Sequence, residues 1–265
     1  MIDENAVIDP GVRLGSGVSV GPFTVIGPGV EIGDGAQIAS HVVIKGPTRL
    51  GAGVKIYQFA SVGEDTSALA YEGEDSSLTV GDHTVIREGV TIHRGMDKGG
   101  IGRTEVGSHC LFMAYAHVAH DCIVGDHVIM ANASLLAGHV EVGDYANIGG
   151  AVGVAQYRKI GAYSHLAALS LITKDVPAYL TVGGNPARVV GLNKEGMRRR
   201  GFSAEVSRAL EEAYRIVLRR GLRTQDALAE LTELREQYAE VDLFARTVET
   251  SDRGIMRVRR RGTSA

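Results

Sequence analysis

The sequence predicts a left-handed parallel β-helix followed by a small α-helical C-terminal domain. Three observations carry this. An aliphatic residue recurs at every sixth position over most of residues 8–172, glycine or a small residue stands at fixed offsets from it, and the spacing becomes helical after residue 203.

The hexad series begins Ile8, Leu14, Val20, Ile26, Ile32, Ile38, Ile44, Leu50, Ile56 and Val62. The next residue is Gly at 15, 21, 27, 33, 51 and 63, and two positions before each aliphatic stands a small or β-branched residue such as Ala6, Thr24, Ala36 or Val42. The series stops over residues 64–77, resumes at Val80, Ile86 and Ile92, stops again at about 94–104 around Gly99-Gly100, and runs from Val106 to Ile172, giving 25 hexads. A period of six is neither the 3.6 of a helix nor the 2 of a strand. A short strand and a glycine-assisted corner satisfy it, and three such units close a triangular coil. The aliphatics then stack inward, and the residues two before them are small enough for the narrow interior. The hexads make roughly eight coils, a prism about 40 Å tall at about 4.8 Å per coil. The two breaks are expected to be loops that project over one face, where long insertions in a solenoid are usually functional.

Beyond Pro177 the chain changes character. Ser203 is an N-cap with Glu205 in the first turn, and Val206, Leu210, Tyr214, Val217 and Leu218 form the apolar stripe of a helix that Gly221 ends. Thr224 is expected to cap a second helix carrying Leu228, Leu231 and Leu234, and Val241, Phe244 and Val248 mark a third. Residues 257–261 read as a mobile basic tail. The division is a left-handed β-helix domain over 1–190 and a helical domain over 191–265.

Composition narrows the partners. With 28 basic and 31 acidic residues the net charge is −3, which gives no electrostatic case for nucleic acid. Cys110 and Cys122 form no CxxC pair, so neither a zinc site nor a disulfide framework is expected, and a cytoplasmic location fits. No signal peptide and no membrane insertion are expected, since no apolar run of about 18 residues occurs. A smooth prism face is a poor place for a pocket. Side-by-side association as a cyclic trimer would create three equivalent clefts.

Nine histidines are present. His117 and His120 flank the inward-pointing Val118 and so project outward, Asp121 follows directly, and His139 comes one coil and one residue later. A histidine oriented by a carboxylate is a general base at neutral pH, and Gly138 offers an unencumbered N–H to an oxyanion. Two other readings compete: solvated surface histidines, or a three-histidine zinc site as in the β-helix carbonic anhydrases, in which these loops and helices have no place. Arg198-Arg199-Arg200 could clamp a diphosphate or form a solvated basic turn.

The segments Tyr57-Gln58-Phe59-Ala60-Ser61-Val62-Gly63-Glu64, Ile92-His93-Arg94-Gly95, Ala116-His117-Val118-Ala119-His120-Asp121, Leu136-Ala137-Gly138-His139-Val140 and residues 193–202, with the C-terminal helices, resemble the UDP-N-acetylglucosamine O-acyltransferases of lipid A biosynthesis over essentially the whole chain. The resemblance implies a cytoplasmic homotrimer that moves a 3-hydroxyacyl chain from acyl carrier protein to the sugar 3-hydroxyl of UDP-N-acetylglucosamine. It makes His120 the general base, Asp121 its orienting partner and Gly138 the oxyanion donor. His117, His139 and Gln156 would line the sugar or thioester region, and Asn193, Glu195, Arg199 and Arg200 would hold the nucleotide. Ala168 would sit at the acyl-chain ruler. The donor arrives on a phosphopantetheine arm, so no metal or tightly bound cofactor is implied. Three positions depart from the family pattern: Ala68 and Ala70 stand where the first loop usually has an acid and a lysine, and Ala155 where a histidine is usual. They leave open an enzyme acting on another nucleotide sugar, or a non-catalytic trimer.

Overall fold

In the computed structural model, which describes residues 1–258, each of the 25 key positions lies in one short strand, from Val7–Ile8 to Leu171–Ile172. These strands form three parallel faces of nine, eight and eight members, which begin with Val7–Ile8, Arg13–Leu14 and Ser19–Val20. Partners lie one coil apart, as in Val7↔Val25 and Ile8↔Ile26. This offset of 18 residues widens to 30 at Ser61↔Thr91 and to 26 at Thr91↔His117, where the insertions intervene.

Inside the prism Ile26, Ile44, Leu50, Ile56, Ile86, Ile92, Met130 and Leu136 are almost wholly buried. Thr24, two residues before Ile26, shows why that position takes small residues. Its Oγ1 donates to Ala39 O at 2.7 Å and accepts from Val42 N at 3.2 Å, so the buried hydroxyl is paired on both sides. The glycine after the key aliphatic answers to the spacing between coils. A Cβ on Gly33 would lie 2.7 Å from Ala52 N and from the carbonyl carbon of Gly51 in the next coil.

At the corners the residue three before the key position adopts positive φ, often without being glycine. Repetition therefore builds columns. Between the second and third faces His83, His109, His127, Tyr145, Tyr163 and Tyr179 stack with ring centroids 4.6–5.2 Å apart. Between the first and second faces the column is Asp121, His139 and Tyr157.

Both insertions leave this same corner, one after the strand Ser61–Glu64 and one after Thr91–His93. They share a root. The Arg94 amide donates to Glu64 O at 3.0 Å, and its buried guanidinium donates to Gly63 O and Asp65 Oδ1. The second insertion departs from expectation, because it folds back onto Asp121 rather than projecting freely.

After the prism an antiparallel hairpin, Leu180–Gly184 with Ala187–Leu192, joins the third face; hexad reading does not foresee it, and its second strand runs across residue 190. Helix α1 (Lys194–Arg199) follows, then α2 (Ala204–Leu218), whose N-cap Ser203 accepts from Val206 N at 3.1 Å and which buries Leu210, Val217 and Leu218. Thr224 does not cap the next helix. It is the first residue of α3 (Thr224–Glu230), and its hydroxyl accepts from Arg257 at 2.9 Å. The expected single helix breaks at the fully buried Leu231, giving α4 (Thr232–Gln237), while α5 (Ala239–Glu249) buries Val241, Phe244 and Val248. Arg257 is fixed rather than mobile, since it also donates to Val217 O at 3.0 Å; residues 259–261 of the basic tail lie outside the described residues. No described helix is long and apolar enough to cross a membrane.

Coil spacing yields a paired test. A Cβ on Gly27 would meet nothing closer than Ile44 O at 3.6 Å, whereas one on Gly33 meets backbone at 2.7 Å. Urea unfolding is expected to show Gly33→Ala destabilised by about 1–3 kcal/mol and Gly27→Ala changed by no more than about 0.5 kcal/mol.

Candidate active site at the insertion corner

Val118 fills the prism core, so His117 beside it on the strand His117–Val118 faces outward. His117 Nδ1 shares a 2.7 Å hydrogen bond with Thr91 Oγ1, and its ring meets His93 edge-on at 4.9 Å. Burial, reinforced by His93, pushes the His117 pKa down to about 4, so at neutral pH this ring is uncharged.

His120 lies three residues on, at the corner. Its Nδ1–H donates to Asp121 Oδ2 at 2.7 Å, and the Asp121 side chain is wholly enclosed. Burial would raise the Asp121 carboxyl, but hydrogen bonds from His120 and from the Ile101 and Met96 amides outweigh it and hold the group below its ordinary value. The ionised carboxylate fixes the proton on Nδ1 and leaves Nε2 as the acceptor. Gly138, one coil later, sits against that nitrogen: a Cβ there would lie 2.6 Å from both Nε2 and Cε1 of His120. Among the described residues the Gly138 N–H has no protein acceptor. His139 stands edge-on to His120 at 5.0 Å and stacks on Tyr157 at 4.3 Å; burial lowers its pKa as well.

The corner thus gathers His120, Asp121, Gly138 and His139. His117 occupies the adjoining face with His93. Gln156 is exposed in the turn before Tyr157, and its backbone carbonyl accepts from Arg158 Nε at 3.1 Å. Ala168 is exposed at a different corner, between His165–Leu166 and Leu171–Ile172. His120, Asp121 and His139 offer donor atoms within 4.8 Å of one another. The Asp121 oxygens, however, are taken by the imidazole and two amides, and the set is not the three histidines that the zinc reading requires.

The basic residues lie at another corner, that of the tyrosine column. Asn193 caps α1, accepting from Gly196 N at 3.0 Å and donating to Tyr163 O at 2.8 Å. Glu195 accepts from Arg198 and Arg199, which hold its carboxyl down at about 2. The Arg200 guanidinium lies 3.9 Å from the Tyr145 ring centroid. Arg199 and Arg200 line a cleft of about 470 Å³ with Tyr145, Asn147, Tyr163 and His165. No motif marks these last four residues; the 18-residue offset between Tyr145 and Tyr163 is the signal that could find them.

A family model described as UDP-N-acetylglucosamine O-acyltransferase, domain 2, matches residues 175–256, and a bacterial transferase hexapeptide model matches residues 11–46 and 103–138. The acyl-[acyl-carrier-protein]–UDP-N-acetylglucosamine O-acyltransferase of Stutzerimonas stutzeri is 54% identical over 259 residues, spanning 97% of this chain and 99% of its own. The chain belongs to the UDP-N-acetylglucosamine O-acyltransferase family. Solved members superpose closely. LpxA from Acinetobacter baumannii gives a TM-score of 0.94 at 45% identity, over 97% of this chain and 99% of its own. The Arabidopsis UDP-N-acetylglucosamine acyltransferase gives 0.85 at 33%, over 97% and 100%. Membership in this acyltransferase family sets aside the carbonic anhydrase and non-catalytic readings. Of the departures from the family pattern, Ala70 is exposed and Ala68 is half-buried within a turn, its carbonyl accepting from Tyr71 N at 3.0 Å.

The half-buried histidines fix a pH dependence. His117 titrates at about 4 when folded against an ordinary 6.5, so between these values the unfolded chain binds more protons. Stability therefore falls as pH drops through that window. His93, His139 and His165 act with the same sign, and Asp121, lowered from 3.8, adds loss only at still lower pH. Urea midpoints measured from pH 7 to pH 4 are expected to fall less steeply in His117→Gln than in wild type.

Proposed function

We propose that this acyltransferase moves a 3-hydroxyacyl chain from acyl carrier protein to the 3-hydroxyl of UDP-N-acetylglucosamine, the first step of lipid A biosynthesis, with His120 as general base. The observation that supports this most directly is His120 itself, with Nδ1 held by Asp121 at 2.7 Å and Nε2 against the Gly138 backbone. Nε2 removes the proton from the sugar hydroxyl as that oxygen attacks the thioester carbonyl. The tetrahedral oxyanion accepts from the Gly138 N–H, and its collapse expels the phosphopantetheine sulfur, which takes the proton back from His120. Asp121 remains ionised and stabilises the transient imidazolium. No proton, electron or atom is left over, so this route requires no metal and no tightly bound cofactor; acyl-loaded carrier protein is the co-substrate.

His117, uncharged at neutral pH, together with His139 and Gln156 forms the wall facing sugar and thioester. Asn193, Glu195, Arg199 and Arg200 hold the UDP moiety, with the guanidinium groups on phosphate. In one chain these residues stand at a different corner from His120, so the nucleotide must be held by a neighbouring copy. A cytoplasmic homotrimer, each cleft combining the base of one subunit with the arginines of the next, satisfies this requirement. Ala168 serves as the chain-length ruler. The Ala68, Ala70 and Ala155 substitutions leave the base, its carboxylate and the arginines in place, and identity above 50% over nearly the full length favours UDP-N-acetylglucosamine as acceptor.

His120→Ala is expected to lower turnover about 10²–10⁴-fold with the trimer intact; retention of activity within tenfold of wild type would remove His120 as the base. Ala168→Met is expected to shift preference toward shorter 3-hydroxyacyl donors, read by mass analysis of products from a donor panel. An unchanged profile would move the ruler to Leu169 or Leu171.

A further inference from the structure

The mechanism uses Asp121 but not the elements that hold it. Asp121 is only 3% exposed, and its carboxylate bears charge in an enclosed place. Such a group persists there only when several donors compensate the lost water. Two come from the second insertion: Ile101 N donates to Oδ1 at 2.8 Å, and Met96 N lies 3.3 Å from each oxygen. The third is His120 Nδ1–H at 2.7 Å, while the Asp121 backbone is held separately, its amide donating to Thr104 Oγ1 at 2.9 Å.

The insertion is shaped for this contact. Gly99 and Gly102 take positive φ (81° and 74°), and Gly102 N donates to Met96 O at 2.9 Å, closing the turn so that two amides point the same way. Gly100 faces the carboxylate itself: a Cβ would lie 2.5 and 2.6 Å from its two oxygens and would also strike Met96 O. Arg94 anchors the turn at its root to Gly63 and Asp65, where the first insertion leaves its strand.

We infer that the turn over residues 95–102 is a carboxylate clamp, in which the Met96 and Ile101 amides position Asp121 and, through it, set the orientation and proton affinity of His120. The inference rests on His120 being the base. Met96, Gly100 and Ile101 are accordingly positioning residues that never touch substrate. Two consequences follow from chemistry. Amide donors drain charge from the carboxylate, so removing one strengthens its bond to His120 and raises the imidazole's proton affinity. Pushing the carboxylate aside frees His120 to rotate or to carry its proton on Nε2, which abolishes the acceptor. The other titratable groups facing His120 are His139, His117 and His93, and those facing Asp121 are His139 and Cys122; the substitutions below change none of them.

The test compares kcat–pH profiles of the full-length enzyme in wild type, Gly100→Ala, Asp121→Asn, the Gly100→Ala/Asp121→Asn double variant, and an enzyme in which the Gly100–Ile101 amide is exchanged for an ester by placing the α-hydroxy analogue of isoleucine at position 101. Gly100→Ala is expected to lower kcat at least about tenfold with KM for the nucleotide sugar within about twofold. On the Asp121→Asn background the same change is expected to cost less than about twofold, because the clamp acts only through that carboxylate. The ester removes one donor without adding bulk at the carboxylate, and the acid limb of its profile is expected to move up by about half a pH unit. Losses that multiply in the double variant, or an acid limb that stays put or falls in the ester enzyme, would overturn the clamp while leaving His120 as base. An Asp121→Asn enzyme with wild-type kcat would overturn both. Should Gly100→Ala fail to assemble, the acid limb of the ester enzyme decides alone.

Discussion

The spacing between successive coils governs this molecule. Parallel pairing places each backbone on the one 18 residues earlier, and at Gly33 the gap has no room for a single methyl group. Because that gap admits so little, the repeat tolerates side chains only inward, outward or at corners. Anything set at a corner recurs directly above itself one coil later. The stacked rings from His83 to Tyr179 form one such column, and Asp121, His139 and Tyr157 form another. A site of interacting side chains thus arises on a surface that has no depth of its own.

The chemistry depends on two neighbouring histidines being treated differently. His117 is desolvated beside another imidazole and is driven to about 4, which leaves it neutral. His120, three residues on, has a buried carboxylate on Nδ1, and that carboxylate keeps its charge because the imidazole and the Ile101 and Met96 amides replace its lost hydration. An unpaired carboxylate in the same enclosure would protonate and could no longer accept from Nδ1–H. The insertion is therefore as much part of the corner as the hexads are.

Much of this was legible in the sequence because a six-residue period has few structural solutions. The inward series from Ile8 to Ile172 set every strand of the prism, outward placement of His117 and His120 followed from Val118 pointing in, and the one-coil offset put His139 beside His120. Backbone chemistry was not legible. Met96 and Ile101 act through their amides, which any residue carries, so nothing in their side chains advertised contact with Asp121. The hairpin Leu180–Gly184 with Ala187–Leu192 follows a two-residue alternation that the hexad template does not register. Thr224 looked like a cap because it is polar and precedes an apolar stripe, but Arg257, distant in sequence, claims its hydroxyl. That Arg199 and Arg200 lie at another corner from His120 shows only once Tyr145 and Asp121 are assigned to different columns.

That separation of base and arginines within one chain is the feature on which the catalytic picture turns. Coexpression of His120→Ala subunits with Arg199→Ala/Arg200→Ala subunits, followed by purification of trimers carrying both tags, tests it. If each cleft draws its base from one subunit and its arginines from the next, two individually inactive chains restore transfer, at about a third of wild-type activity, because every mixed trimer holds one complete cleft of three. Mixed trimers no more active than either parent would show that base and arginines must come from the same chain, and would contradict the shared site.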